Sequence, residues 1–418
     1  MLRRLLLMLT AVLILNLAVA GTAVSAPLSG EGPARSADAE LARMGREIPG
    51  FGGLFYDAQG RPNVYLLDPD GAGGAALKSL GPEVQVRRGD YEFERLLGWR
   101  QELRSLLALP GVVFLDVDEA RNRVVVGLDS TFRSKGLDRD RLEERLSAAS
   151  IPRQAVVLAE TGPIAPLTGL EEKRARPAPT SGLQSKIRPV PGGIQIAFSV
   201  FACTLGFNAY RGNVFGFVTN THCTNVRGEV DGTRYYQERP TSGAIATEIA
   251  DPPYFTDPPC PPGRRCRFSD SAFAKYDNPR LGSLGKIAKP VSGEPSAGTL
   301  VLNPATSRFT VKGRAGARFA GDVVYKVGRT TGWTYGPVDR TCVDVAVAGT
   351  DVILFCQSLV TAGVGGGDSG SPVFTWSGLT DVNLVGILWG GGTSGGQTVF
   401  AFSPLEAIEE ELGPLRLN

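Results

Sequence analysis

Gly365-Gly366-Gly367-Asp368-Ser369-Gly370-Ser371-Pro372, set between two apolar runs near the C-terminal end, is the stretch on which the reading of this chain turns. A serine hydroxyl is a weak nucleophile by itself, and here Ser369 stands among glycines whose bare amides can face a developing oxyanion. Such a serine needs a base to take its proton, and the sequence holds a single histidine, His222. Any catalytic use of Ser369 therefore stands or falls with His222.

His222 follows a strand-like run in Phe217-Val218-Thr219-Asn220-Thr221-His222-Cys223. A bridge from Cys223 to Cys203 would fix the backbone beside the imidazole, as a general base held in one orientation requires. A lone histidine is commonly a bland surface or core residue; the adjacent cysteine and the downstream serine motif argue against that here. The third partner has to be a carboxylate that holds the imidazole tautomer. Asp270, in Arg267-Phe268-Ser269-Asp270-Ser271-Ala272-Phe273-Ala274, runs straight into a small apolar strand and so is expected to be half-buried and in need of a donor. Asp257 and Asp277 fall in a Pro-rich loop and after the strand, where solvent satisfies them.

The six cysteines all lie after residue 200, and their spacing suggests local bridges, Cys203–Cys223, Cys260–Cys266 and Cys342–Cys356, although spacing alone does not fix connectivity. Disulfides imply an oxidising compartment. The competing use, a metal site, lacks any Cys-x-x-Cys pair, and the lone histidine is already claimed; no metal or cofactor is expected. Arg3 and Arg4, the apolar run Leu5 to Ala20 and the small residues through Ala26 form a secretory signal pattern, with an uncleaved anchor as the alternative. Lys+Arg 44 against Asp+Glu 42 leaves a formal +2, without the basic excess that tracks nucleic acid or an anionic membrane. The chain's 418 residues are long for one core.

Five segments follow: a signal peptide over 1–26, a poorly ordered stretch over 27–49, an α+β unit over 50–160, an exposed Pro-rich linker over 161–190, and a β-rich unit over 191–418. In the α+β unit, Gly52 to Leu67 reads as a hairpin, Leu96, Trp99, Leu103, Leu106 and Leu107 as one helix face, Val112–Val117 with Val124–Leu128 as a second hairpin, and Leu137–Ala149 as another helix. It carries no histidine or cysteine and no nucleophile motif, and reads as a pro-region, with a permanently attached binding domain as the alternative. The basic linker invites a processing cut between about Gly169 and Val190.

The order His222, Asp270, Ser369, with Thr-His-Cys and Gly-Asp-Ser-Gly-Ser-Pro, resembles the chymotrypsin family of serine proteases, and the bacterial secreted branch of streptogrisin and α-lytic protease types in particular. Gly328-Arg329-Thr330-Thr331-Gly332 and Gly386-Ile387-Leu388-Trp389-Gly390 add to the likeness, which spans about residues 190 to 412. It implies a mainly β fold of two six-stranded antiparallel barrels with a C-terminal helix over Pro404–Leu412, behind a folded pro-region. Carried over, His222 is base then acid, Asp270 orients it, Ser369 attacks, and the amides of Gly367 and Ser369 form the oxyanion hole. Leu388, Trp389 and Gly390 would pair with substrate, and Gly363 and Gly391 would belong to a pocket walled by Thr361–Gly366 and Gly390–Gly396, uncharged and suited to a hydrophobic or aromatic side chain. Leu388 stands where the family has a serine that supports the carboxylate, so Asp270 either lacks one hydrogen bond or finds it elsewhere. Lys326 is the expected partner of Asp368.

The expectation is thus a secreted, monomeric serine endopeptidase acting on proteins or peptides, with its own pro-region as a partner and no nucleic acid or membrane partner. Two rivals are a protease-like binding protein that has lost turnover and a processing enzyme with few substrates.

Overall fold

A computed structural model describes residues 36–78, 83–134, 139–167, 169–170 and 182–418, so the signal pattern over 1–26 and the charge run over 171–176 lie outside the described residues. The chain is mainly β.

In the first unit the helix Phe93–Glu102, continued by a 3-10 turn over Leu103–Ala108, buries Phe93, Leu96, Trp99, Leu103, Leu106 and Leu107. The expected hairpins form as Phe51–Tyr56 with Pro62–Leu66 and as Val112–Asp118 with Arg123–Leu128. The helix Arg139–Ala148 buries Leu142 and Leu146, and the strand Val156–Glu160 lies parallel to Arg123–Leu128. One expectation is overturned. Residues 37–47, read as poorly ordered, form a helix capped by Ser36, whose hydroxyl accepts the Ala39 amide. Its buried stripe, Ala37, Leu41, Met44 and then Ile48, is too sparse to signal a helix alone and gains its stability by docking on the first unit's core.

The second half closes two barrels. In the first, Gln195–Phe198 pairs with Phe201–Thr204, and Phe207–Arg211 pairs with Val214–Thr219, which continues to Ala272–Tyr276, Ala244–Ala250, Arg234–Tyr236 and back to Gln195–Phe198. Only Leu205 and Gly206 separate Thr204 from Phe207, so those two segments are one bent strand and the six-stranded ring is complete. A Cβ on Gly206 would lie 2.6 Å from the Val218 carbonyl oxygen, which explains glycine at the bend. The second ring runs through Val323–Gly328, Gly332–Ala346, Val352–Thr361, Gln397–Pro404, Asp381–Ser394 and Pro372–Trp376, the last pairing with the first. Val324, Val338, Val360, Val373, Leu388, Phe400 and Phe402 fill its interior. The helix Leu405–Leu412 follows, and all three bridges form as the spacing suggested, Cys203–Cys223, Cys260–Cys266 and Cys342–Cys356.

The halves join through strand addition. Leu115 and Phe114 of the first unit pair antiparallel with Asp344 and Val345, so the long strand Gly332–Ala346 belongs to both the second barrel and the first unit's sheet. Around this seam Arg340 meets Asp116 at 2.7 Å, Arg104 meets Asp344 at 2.8 Å and Arg100 meets Asp38 at 2.9 Å. The stretch after it departs from expectation: within the segment read as exposed linker, Ala165–Pro166 and Gly169–Leu170 are held as strand and Thr161 forms a bridge to Ser394. Ala165 and Pro166 pair with Gly391 and Gly390, and Gly169 and Leu170 pair with Ala202 and Phe201 of the first barrel. Backbone groups that sequence reading assigned to solvent are instead paired in the cleft between the barrels.

Candidate active site

His222 sits on the single 3-10 turn Thr221–Cys223 that ends the strand Val214–Thr219, and the neighbouring strand Ala272–Tyr276 begins just after Asp270. Because Thr219 lies opposite Ala272, the two strand ends deliver imidazole and carboxylate to one point. His222 Nδ1 lies 2.6 Å from Asp270 Oδ2, and the His222 backbone N–H donates to Asp270 Oδ1 at 3.1 Å. Asn220 Nδ2 donates to the Asp270 carbonyl at 2.7 Å, tying the turn to the acid a second time. Ser369 comes from the other barrel, and its Oγ lies 2.7 Å from His222 Nε2.

With Nδ1–H given to Asp270, Nε2 is left as an acceptor facing the serine hydroxyl. Burial pushes the Asp270 carboxyl up, but the His222 charge and its two hydrogen bonds outweigh that, and the group is held below the ordinary carboxylate value. Among the described residues no donor takes the place, on the carboxylate, of the serine that Leu388 replaces; the carboxylate accepts from the His222 backbone and ring. It is the Asp270 backbone that is held, its N–H donating to Ser403 Oγ at 2.9 Å, while Ser403 donates to Gln357 Oε1 at 2.8 Å and the Trp389 indole donates to the same oxygen at 2.9 Å. Gln357 and Ser403 carried no sequence signal, since their strands bring them under the acid only on barrel closure.

The loop around Ser369 is clamped from both barrels. Thr204 N–H donates to the Ser369 carbonyl at 2.7 Å, Thr204 Oγ1 donates to the Gly367 carbonyl at 2.9 Å, and Gly370 N–H donates to the Leu388 carbonyl at 2.8 Å. Asp368 is fully buried and meets Lys326 Nζ at 3.0 Å. Its carboxylate also accepts from the amides of Thr330, Thr331 and Gly365 and from the Thr331 hydroxyl. Burial raises it; Lys326 and these donors bring it below the ordinary value. The Gly-Arg-Thr-Thr-Gly turn thus serves as the cradle of Asp368.

The segment 161–167 lies along the strand Asp381–Ser394 and across this site. Leu167 N–H reaches the Trp389 carbonyl at 3.3 Å and Ser369 Oγ at 3.2 Å, and the Leu167 carbonyl accepts the Gly367 amide. Of the two amides expected to face an oxyanion, Gly367 therefore meets a carbonyl, and its φ of 98° is a conformation that favours glycine. Pairing with the segment is made by Trp389, Gly390 and Gly391. Leu388 does not take part: a bulge between Leu388 and Gly390 shifts the pairing, the Leu388 backbone is engaged by Ser371 and Gly370, and its side chain faces the barrel core. Gly363 gives its N–H to Pro295 and its carbonyl to Thr334. The Leu167 side chain packs against Val364 beside Gly391, where an added Cβ would come within 2.9 Å of both.

Sequence reading also missed Asp251. It lies under the histidine turn, accepting from Thr221 Oγ1 and from Arg267 Nη1 at 2.8 Å, with Arg267 also paired to Glu411 of the C-terminal helix at 2.9 Å. Asp277, set aside as solvated, pairs with Arg234 at the surface.

No protein-family model and no curated protein matches the sequence. Among solved structures the chain is similar to Thermobifida fusca protease A, with 24% identity over 55% of this chain and 97% of that one at a TM-score of 0.39. It is similar to a Nocardiopsis protease, with 20% identity over 55% and 98% at 0.38. A homologue of alpha-lytic protease, N4, shares 21% identity over 55% and 99% at 0.40.

Proposed function

We propose that this chain is the pre-pro form of a secreted serine endopeptidase. The observation that carries the reading is the unbroken line Asp270, His222, Ser369, at 2.6 and 2.7 Å, with a peptide strand laid across it. In the reaction His222 Nε2 takes the Ser369 proton as Oγ adds to the substrate carbonyl carbon, and Asp270 stabilises the imidazolium that forms. The Gly367 amide donates to the oxyanion, a contribution worth about 3 kcal/mol for one such donor. His222 returns the proton to the leaving amine, and water repeats the sequence on the acyl-enzyme.

Residues around the Leu167 side chain give the specificity. Val364, Gly391 and the apolar interior beyond them carry no charge, which favours a hydrophobic side chain before the cut. The three disulfides fit an oxidising, extracytoplasmic setting. The first unit, joined by strand addition next to the cleft, acts as a pro-region that holds the site closed until it is released.

An active-site fluorophosphonate tests this directly. Secreted protein should label and hydrolyse casein, and Ser369→Ala should abolish both, with turnover falling on the order of 10⁶-fold. Absence of labelling in the processed wild-type protein would favour a binding protein that has kept the fold without turnover.

A further inference from the structure

We propose that the first bond this site cuts is the chain's own peptide bond after Leu167, and that Ile164-Ala165-Pro166-Leu167 is the sequence the cleft is shaped to read. The inference rests on the endopeptidase reading above and adds its substrate.

Three features single out this bond. The register is pinned over a long stretch: Thr161 faces Ser394, Gly162 N–H donates to the Thr393 carbonyl at 2.9 Å, Ala165 faces Gly391 and Pro166 faces Gly390. A slip of one residue would turn every side chain to the opposite face, so the register decides which carbonyl meets the nucleophile. That carbonyl is Leu167's, which accepts the Gly367 amide while the Leu167 N–H rests on Ser369 Oγ and Trp389 O. Thirdly, the chain is gripped beyond the bond as well, since Gly169 and Leu170 pair with Ala202 and Phe201. A strand held on both sides of the nucleophile is a substrate in place.

Two side chains supply the selectivity. Leu167 enters the uncharged pocket beside Val364 and Gly391. Ile164 is fully buried in one apolar cluster with Trp389, Val345, Val347, Leu359 and Ala401, and its carbonyl accepts the Ala348 amide at 2.8 Å. Pro166 lacks an N–H, and its fixed φ suits the extended backbone of the segment. The bond lies within the linker 161–190 and just before the window of about Gly169 to Val190 that the sequence suggested for processing, so apolar anchoring selects it.

The step balances without any further reagent than water. Ser369 Oγ bonds to the Leu167 carbonyl carbon as its proton passes to His222. The Leu167–Thr168 C–N bond then breaks, with the amine of Thr168 receiving that proton. Water hydrolyses the ester, giving a Leu167 carboxylate and restoring Ser369.

N-terminal sequencing and intact mass of secreted wild-type protein should find a chain beginning at Thr168, absent from Ser369→Ala. Leu167→Asp should slow appearance of that end on the order of 100-fold, and Leu167→Met should preserve it. The mature wild-type enzyme should cleave an anilide of Ile-Ala-Pro-Leu on the order of 100-fold better than Ile-Ala-Pro-Arg, and on the order of tenfold better than Gly-Ala-Pro-Leu. This peptide panel does not depend on how the variants fold. A mature end at any later bond, or an uncut wild-type chain that still labels and hydrolyses casein, overturns the proposal and leaves the endopeptidase reading standing. Loss of labelling in wild-type protein sinks both.

Discussion

Asp270 and Asp368 in the double-barrel half, and Asp38, Asp116 and Glu119 along the seam with the first unit, are all withdrawn from water, yet their surroundings drive them in opposite directions. Asp270 has the His222 ring and backbone N–H, Asp368 has Lys326 and several further donors, and both are held below the ordinary value. At the seam Arg340 is shared among Asp116, Asp118 and Asp339, Asp116 Oδ1 has no hydrogen-bond partner, and Glu119 accepts only from the Thr341 hydroxyl among the side chains it meets. Burial raises Asp116 to about 7 and Asp38 to about 6 against an ordinary 3.8, with Arg340 and Arg100 respectively opposing. Glu119 is raised as well, by burial and then by Asp116 and Asp38. Four arginines, Arg100, Arg104, Arg121 and Arg340, face six acids, Asp38, Asp116, Asp118, Glu119, Asp339 and Asp344. The difference separates a site built to stay assembled from a junction whose charges oppose it.

The largest effect that tests this contrast is at the triad. Asp270→Asn keeps the shape but removes the acceptor that fixes the tautomer, and kcat should fall on the order of 10⁴-fold while urea unfolding changes little. A loss under tenfold would show that Asp270 does not orient His222. Next, Lys326→Ala strips the buried Asp368 of its counter-charge and should destabilise the double-barrel half by about 3–5 kcal/mol in urea unfolding of the Ser369→Ala chain. An unchanged midpoint would mean that the Thr330, Thr331 and Gly365 donors suffice.

The seam responds with the opposite sign. A carboxyl whose folded pKa is raised gives stability that is fully present below its unfolded value and is lost as pH rises through the folded one. Docking of the first unit should therefore be firmest near pH 4 and weaken by a few kcal/mol by about pH 7, the window set by Asp38 and Asp116. Limited proteolysis of Ser369→Ala protein at several pH values reads this, with first-unit cuts expected to accelerate toward neutral pH. For the lowered pair Asp270 and Asp368, stability is present above the unfolded value and is lost only as pH falls through the folded one, so the double-barrel half should hold in mild acid. The smallest effect expected is from Asp116→Asn, which removes a charge the seam cannot neutralise and should firm docking at pH 8 by about 1 kcal/mol while flattening the pH profile. Weaker docking at pH 8 would reverse the assignment of Asp116 as a destabilising charge.

Much of the site was legible in the sequence because its chemistry is local. One histidine, a serine among glycines and an acid before a small strand restrict the choices severely, while Lys326 as the partner of Asp368 came only from the resemblance, which places a basic residue near Gly-Arg-Thr-Thr-Gly. Short loops suggested the disulfide partners without fixing their connectivity. Leu388 was misplaced by one residue, because a bulge in a paired strand leaves no mark on composition. Asp251, Gln357 and Ser403 were invisible for a related reason: each meets its partners across strands that only barrel closure makes neighbours.

By itself, then, the sequence determined the residue types, the β-rich second half and the chemistry available to it, since these depend on side-chain identity and short-range spacing. Tertiary structure alone decided that the helix Ala37–Glu47 docks on the first unit, that its seam with the second half is crowded with acids, and that Leu167 rests against Ser369. Those outcomes turn on strand register and on which distant faces are buried together, and neither quantity is written in any one stretch of chain.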